Sequence, residues 1–135
     1  MNEQIQIELK NLLNKRYSTS ESTRANYARG EDTYDPILSK AVVFPETNEE
    51  VSKILRLCNE HKIPVVPFGT GTSLEGNVVG NEKGITISLE KMNKILSVNV
   101  EDFDCRVQAC VTREQLNNYL REDGVFFPID PGANA

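Results

Sequence analysis

Residues 67 to 77 read Pro67-Phe-Gly-Thr-Gly-Thr-Ser-Leu-Glu-Gly-Asn77. Three glycines and three hydroxyl residues stand directly behind a short apolar run, Ile63-Pro-Val-Val-Pro-Phe68. Glycines let a backbone approach a ligand and turn successive N–H groups inward, forming a nest for an anion. Thr70, Thr72 and Ser73 can add hydroxyl donors. Such a loop suits phosphate, and a diphosphate in particular. Two better-known phosphate motifs are not met. The P-loop needs Gly-Lys-Ser/Thr, and no lysine follows these glycines. The dinucleotide fingerprint needs a small residue three after its second glycine and then a helix; the chain offers Leu74, and Glu75-Gly-Asn-Val-Val-Gly80 has no helical period. On residue types alone, a flexible polar connection between strands fits the string equally well.

The other reactive side chains point to no chemistry. Cys58, Cys105 and Cys110 are odd in number and form no Cys-x-x-Cys or Cys/His cluster, so no metal site is expected. Reduced thiols serving as small hydrophobes are expected at all three positions. If 104–111 is a strand, Cys105 and Cys110 face opposite sides of it. His61, the sole histidine, falls in the last turn of a helix, where a cation suits the dipole. It reads as structural.

Charge and hydropathy narrow the classes further. Fifteen Lys plus Arg stand against 20 Asp plus Glu, a net charge of -5, which argues against a nucleic-acid surface. No apolar run approaches the length of a membrane-crossing helix. The start, MNEQIQIELK, lacks a signal pattern, and its acidic residues argue against a mitochondrial presequence. The expected location is the cytoplasm.

The elements that must position the loop follow from periodicity. A chain of 135 residues builds one modest core. Ile5, Leu9, Leu12 and Leu13 predict an amphipathic helix over 3–17. The polar stretch from Ser18 to Tyr34 has no clear period and is either an ordered or a mobile arm. Ala41-Val-Val-Phe-Pro45 reads as a buried strand. Thr47-Asn-Glu-Glu50 is a capping box opening a helix with Val51, Ile54, Leu55 and Cys58 on its core face, ending before Pro64. With a strand over 63–68, this makes a βαβ unit, whose crossover should be right-handed. Strands are expected over 84–88, 95–100 and 104–111. Thr112-Arg-Glu-Gln115 caps a last helix carrying Leu116, Tyr119 and Leu120, closed by Gly124 in the left-handed conformation. Val125-Phe-Phe-Pro-Ile129 reads as a final strand. The expected core holds Val42, Val43, Val51, Ile54, Leu55, Val65, Val66, Ile87 or its neighbours, Val107, Leu116 and Leu120. The class is α+β, a βαβ unit plus a small mixed sheet.

Several segments at matching spacing carry a family resemblance. Ala41-Val-Val-Phe-Pro-Glu-Thr47, Pro64-Val-Val-Pro-Phe-Gly-Thr-Gly-Thr-Ser-Leu-Glu-Gly76, Val111-Thr-Arg113 and Phe127-Pro-Ile-Asp-Pro-Gly-Ala133 occur in order. Together they resemble the start of the FAD-linked oxidases of the vanillyl-alcohol oxidase/PCMH type, nearest to the branch of D-lactate dehydrogenase and glycolate oxidase. The resemblance runs from about residue 24 to the end. It implies the N-terminal subdomain of a PCMH-type FAD-binding domain. Residues 1–40 would be an N-terminal helix and arm, and 41–135 the first part of that domain, cut at its C-terminal end inside a larger unit. Carried over position by position, the FAD diphosphate would be wrapped by Phe68, Gly69, Thr70, Gly71, Thr72, Ser73 and Gly76. Asp130, Pro131 and Gly132 would begin a second wall. Thr72 stands where some relatives bind flavin covalently through a histidine, so non-covalent FAD is implied. Two departures are present: Asn77 replaces a common glycine, and Ala109-Cys110 replaces Pro-Gly, where the cysteine would crowd backbone near the flavin.

The resemblance implies a parent enzyme that oxidises a D-2-hydroxy acid, passing the C2 hydride to FAD, with this chain supplying the diphosphate-holding part and no activity of its own. The alternative is a truncated, catalytically inactive binding or scaffold module. FAD and, in the full-length parent, the hydroxy acid are the expected partners. Open strand edges leave self-association of the fragment as a further expectation.

Overall fold

The structure is a computed structural model, and it describes residues 3–130 and 132–135. The chain divides into two compact units, Met1–Lys91 and Met92–Ala135.

The first unit is built on a four-stranded sheet. Helix α1 (Glu3–Leu13) carries Ile5, Leu9 and Leu13 on one buried face. It stops short of the expected residue 17, because Asn14 turns to φ +53 and a 3-10 turn follows over Asn14–Arg16. Strand β1 (Tyr17–Ser18) and helix α2 (Glu21–Asn26) lie in the polar stretch whose order the sequence left open. Strand β2 (Ala41–Val43), helix α3 (Asn48–Glu60), strand β3 (Val65–Phe68) and strand β4 (Ile85–Ser88) complete the unit. The spatial order is β1-β2-β4-β3, with β1 antiparallel and the others parallel. The β2-α3-β3 connection is the expected βαβ unit, with β4 inserted between its two strands. The result is the expected α+β fold with a small mixed sheet.

Side-chain alternation gives the sheet two faces. Ala41, Val43, Ile85 and Ile87 pack with Ile5, Leu9, Leu13, Ile54 and Cys58 into one apolar core. The opposite face carries Thr86, whose hydroxyl is bonded to that of Ser39 at 2.8 Å in a fully buried pair. Because Ser39 Oγ also accepts the N–H of Asn81 at 3.0 Å, the end of the 69–84 connection is fastened to the sheet.

Helix α3 starts as expected: Thr47 Oγ1 accepts the N–H of Glu50 at 3.2 Å. Its end is set by more than Pro64. Lys62 adopts φ +54, the N–H of Ile63 reaches the Cys58 carbonyl at 2.8 Å, and the N–H of Lys62 reaches that of Asn59 at 3.2 Å, which is a Schellman motif. One expected core residue is on the wrong face. Leu55 is 45% exposed, since it follows Ile54 by one residue and is rotated about 100° from it around the helix. Val51 is half-buried, and so are Val65 and Val66, which lie on an edge strand. Pro67 is tolerated there because an edge strand need not donate on its outer side.

In the second unit, β5 (Ile95–Asn99) and β6 (Asp104–Val107) form an antiparallel hairpin with an irregularity between Ile95 and Ser97. The strand expected to reach 111 stops at Val107, because the N–H of Val111 closes a turn on the Gln108 carbonyl at 3.1 Å. Cys110 therefore lies outside the strand, and facing by strand parity does not apply to it. Val107 is half-buried. Helix α4 (Arg113–Leu120) begins at Thr112, whose hydroxyl accepts the N–H of Gln115 at 3.2 Å, and buries Leu116 and Leu120. Tyr119 is exposed. A 3-10 turn over Arg121–Asp123 closes on Gly124 at φ +70.

The strand expected over 125–129 does not form. Phe127 exchanges hydrogen bonds with the side-chain amide of Asn117 instead, its N–H donating to Oδ1 at 2.7 Å. With no strand beside it, the apolar run remains irregular, and Phe126 and Ile129 are exposed. Among the described residues, no helix is long and apolar enough to cross a membrane, and the three cysteines are free. Burial pushes the Cys58 thiol up to about 11.

Candidate functional site

The glycine-rich loop leaves the end of β3. Gly71 and Gly76 adopt φ +77 and +73, left-handed conformations that side chains disfavour. A Cβ at Gly71 would stand 2.7 Å from Cζ of Phe68, and one at Gly76 would stand 2.8 Å from the Tyr34 ring. Among the described residues, no backbone N–H from Thr70 to Asn77 donates to a protein acceptor. The loop is exposed or half-buried, so these eight successive N–H groups are open to water or to a ligand rather than committed to the fold. The hydroxyls stay on the loop: Thr70 and Thr72 lie 3.3 Å apart, and Ser73 donates to Asn77 Oδ1 at 2.9 Å. Asn77, the departure from the family pattern, thus ties the loop to itself.

The loop's orientation can be derived from Gly30. A Cβ there would meet the carbonyl oxygens of Ser73 at 2.7 Å and Gly71 at 2.8 Å. Those two carbonyls therefore face Gly30. A trans peptide sets its C=O and the following N–H in opposite directions, and no cis bond occurs among the described residues. The N–H groups of Thr72 and Leu74 accordingly point away from Gly30.

Further anchors of the loop come from the same preceding segment. The Tyr27 ring meets Phe68 edge-to-face at 4.9 Å and Phe44 at 5.4 Å. Its hydroxyl donates to Glu90 at 2.5 Å; burial, then this carboxylate, push it up to about 12. The carbonyl of Ala28 accepts the N–H groups of both Gly80 and Ile37, at 2.9 and 3.3 Å. Asp32 is buried and accepts from the N–H of Gly30 at 3.1 Å and of Tyr34 at 3.0 Å. None of Tyr27, Ala28, Gly30, Asp32 or Tyr34 was expected at the site. The one signal available was the Gly30-Glu-Asp32 turn chemistry inside the aperiodic stretch.

The expected residues divide between the two units. Phe68, Gly69, Thr70, Gly71, Thr72, Ser73 and Gly76 gather in the first. Asp130 and Gly132 lie in the second, and Pro131 falls outside the described residues. There, Arg113 Nη1 approaches Asp130 Oδ1 at 3.4 Å. The N–H of Arg113 donates to the Ala135 carbonyl at 3.1 Å, and the Asn134 amide exchanges hydrogen bonds with Glu114. The first turn of α4 thereby contacts Asp130, Asn134 and Ala135.

The free donors can hold anionic oxygens. No histidine, cysteine or tyrosine lies between residues 68 and 84 to act as a nucleophile. No group of three His, Cys, Asp or Glu side chains capable of holding a metal occurs among the described residues. The donor set suits the diphosphate of a dinucleotide cofactor: a bare backbone surface, neutral hydroxyls and two positions where a side chain would intrude.

Fold and loop together describe an α+β domain that carries a glycine-rich loop suited to an anion. The chain belongs to the family described as FAD binding domain, which matches residues 39–135. D-lactate dehydrogenase (cytochrome), mitochondrial, of Arabidopsis thaliana is 38% identical over 130 residues, covering 95% of this chain and 23% of its own length. Glycolate oxidase subunit GlcD of Bacillus subtilis is 36% identical over 93 residues, covering 69% of this chain and 20% of its own. The structure of p-cresol methylhydroxylase with substrate bound superposes with a TM-score of 0.78 at 25% identity, over 90% of this chain and 24% of that one. The chain spans about a quarter of the length of the curated relatives it matches.

Proposed function

We propose that this chain is the part of a flavin-dependent D-2-hydroxy-acid dehydrogenase or oxidase that holds the FAD diphosphate, without a covalent link. The observation that carries this is the run of eight N–H groups without protein acceptors, spanning left-handed Gly71 and Gly76. An oxyanion accepting from several of them gains what the free loop leaves unpaired. Phe68 and Gly69 lead into the nest, Thr70, Gly71, Thr72 and Ser73 form its wall, and Gly76 closes it under Tyr34. Asp130, Pro131 and Gly132 are the positions at which the resemblance implies a further stretch of FAD contacts. The non-covalent mode is supported by Thr72 and by a loop that carries no histidine, cysteine or tyrosine.

FAD, when bound, supplies the redox chemistry, accepting the hydride from C2 of the hydroxy acid. The protein's own share is binding and orientation. D-lactate and glycolate are the substrate types that the relatives' names suggest.

The test compares the full-length gene product with its Gly71→Val variant. Valine at φ +77 would place its side chain against the Phe68 ring and strain the loop. The purified protein should show visible flavin absorbance, released intact by denaturation, and the variant should have lost it with an unchanged circular dichroism spectrum. Equal flavin content in both would remove the loop from the cofactor site. Flavin that stays attached after denaturation would refute the non-covalent mode.

A further inference from the structure

Apart from the Ser73–Asn77 bond within the loop and the Asn81–Ser39 bond at its far end, the loop is anchored by residues 27–37. Phe68 is wedged by Tyr27, the carbonyls of Gly71 and Ser73 rest on Gly30, Gly76 lies against Tyr34, and Gly80 donates to the Ala28 carbonyl. That segment is in turn closed on itself, by Ile37 donating to Ala28 and by the Asp32 carboxylate bridging the N–H groups of Gly30 and Tyr34. We propose that residues 28–37 form a strap that sets the conformation of the anion-binding loop, with Gly30 and Asp32 as its positioning residues.

Two physical points support the assignment. Gly30 has no positive φ to accommodate, so glycine is needed there for space alone. Two of the three atoms a methyl group would meet, at 2.7 and 2.8 Å, are backbone oxygens of the loop, which cannot rotate aside like a side chain. Alanine must therefore displace Gly71 and Ser73. Displacing their carbonyls re-aims the N–H groups of Thr72 and Leu74 through the shared peptide planes. Asp32 acts one step earlier, fixing the turn that presents Gly30 to the loop.

The inference rests on the FAD reading for its ligand, and its test separates the two. Variants Gly30→Ala, Asp32→Ala, Asp32→Asn and, as control, Arg29→Ala are made in the full-length gene product; Arg29 is exposed. FAD affinity of the apoprotein is read by flavin fluorescence. Cleavage after Glu75, in the exposed part of the loop, is read with a glutamate-specific protease in the absence of flavin. Gly30→Ala and Asp32→Ala should weaken FAD at least about tenfold and speed cleavage after Glu75, at a melting temperature close to that of the unaltered protein. Asp32→Asn, whose amide oxygen can still accept one of the two N–H groups, should recover most of the affinity, and Arg29→Ala should match the unaltered protein. Unchanged affinity and cleavage in either alanine variant would overturn the strap. So would a melting temperature that falls along with affinity in both, which would mark general destabilisation. If the unaltered protein binds no FAD while Gly30→Ala still speeds cleavage, the cofactor reading fails and the strap stands.

Discussion

Glu50 links α3 to the end of the α1 segment, and its titration gives a prediction with a worked magnitude. Arg16 donates to both carboxylate oxygens, each at 2.6 Å, in a fork that fixes geometry as well as charge. The N–H of Glu46 adds a third donor at 2.7 Å. The Arg16 hydrogen bonds, followed by backbone donors and the guanidinium charge, lower Glu50 from 4.5 to about 2 against the opposing effect of burial. At ~1.4 kcal/mol for each tenfold change in proton affinity, the ceiling is roughly 3 kcal/mol. The two side chains are 23% and 18% exposed, so solvent screening reduces this to about 1–2 kcal/mol. The folded-state value lies below the unfolded one, so the contribution is complete above 4.5 and is lost as pH falls through about 2. Urea unfolding of the chain and its Glu50→Gln variant should show that gap at about pH 6 and at least half of it gone by about pH 3. Subtracting the variant removes the background of other titrating carboxylates. A gap that stays constant across this range would refute the assigned ion pair.

The two neighbouring apolar residues of α3 should behave oppositely. Ile54→Ala, fully buried, should cost about 2–5 kcal/mol, while Leu55→Ala should stay within about 0.5 kcal/mol; similar costs would put the helix face wrong. Thr47→Ala should cost about 1 kcal/mol by removing the acceptor for the Glu50 N–H, and a neutral result in urea unfolding would contradict the cap. Under native alkylation Cys105, which is exposed, should be modified first, and Cys58, buried with its thiol pushed up to about 11, only on unfolding. Peptide mass mapping with equal early labelling of both would contradict the burial.

The features that sequence reasoning captured are those whose causes lie within a few residues. The Thr47 and Thr112 hydroxyl caps and the left-handed Gly124 are specified by neighbours one to three positions away and are found as expected, whereas the Gln115 side chain leaves its capping box for the distant Asn93 carbonyl. The features it missed depend on partners far along the chain or absent. Val125 to Ile129 has the composition of a strand, but a strand exists only beside another, and here Asn117 takes the backbone bonds. Leu55 is apolar and adjacent to Ile54, yet one residue along a helix is enough to leave the core. At the candidate site, the glycine-rich string was visible because glycine itself is the signal. Its backing was not, because Gly30, held by the Asp32 turn, meets carbonyls some forty positions later and nothing local announces that meeting.

The central claim is that the backbone donors of 70–77 hold a diphosphate. Hydrogen–deuterium exchange of the full-length apoprotein, read on peptides spanning 69–80, tests it most directly when FAD is compared with riboflavin, which has the same ring system and no phosphate. The amides of 70–77 have no protein acceptors and should exchange quickly in the free protein. Saturating FAD should slow them strongly, and saturating riboflavin should leave them fast. Equal protection by both ligands, or none by FAD, would contradict the account.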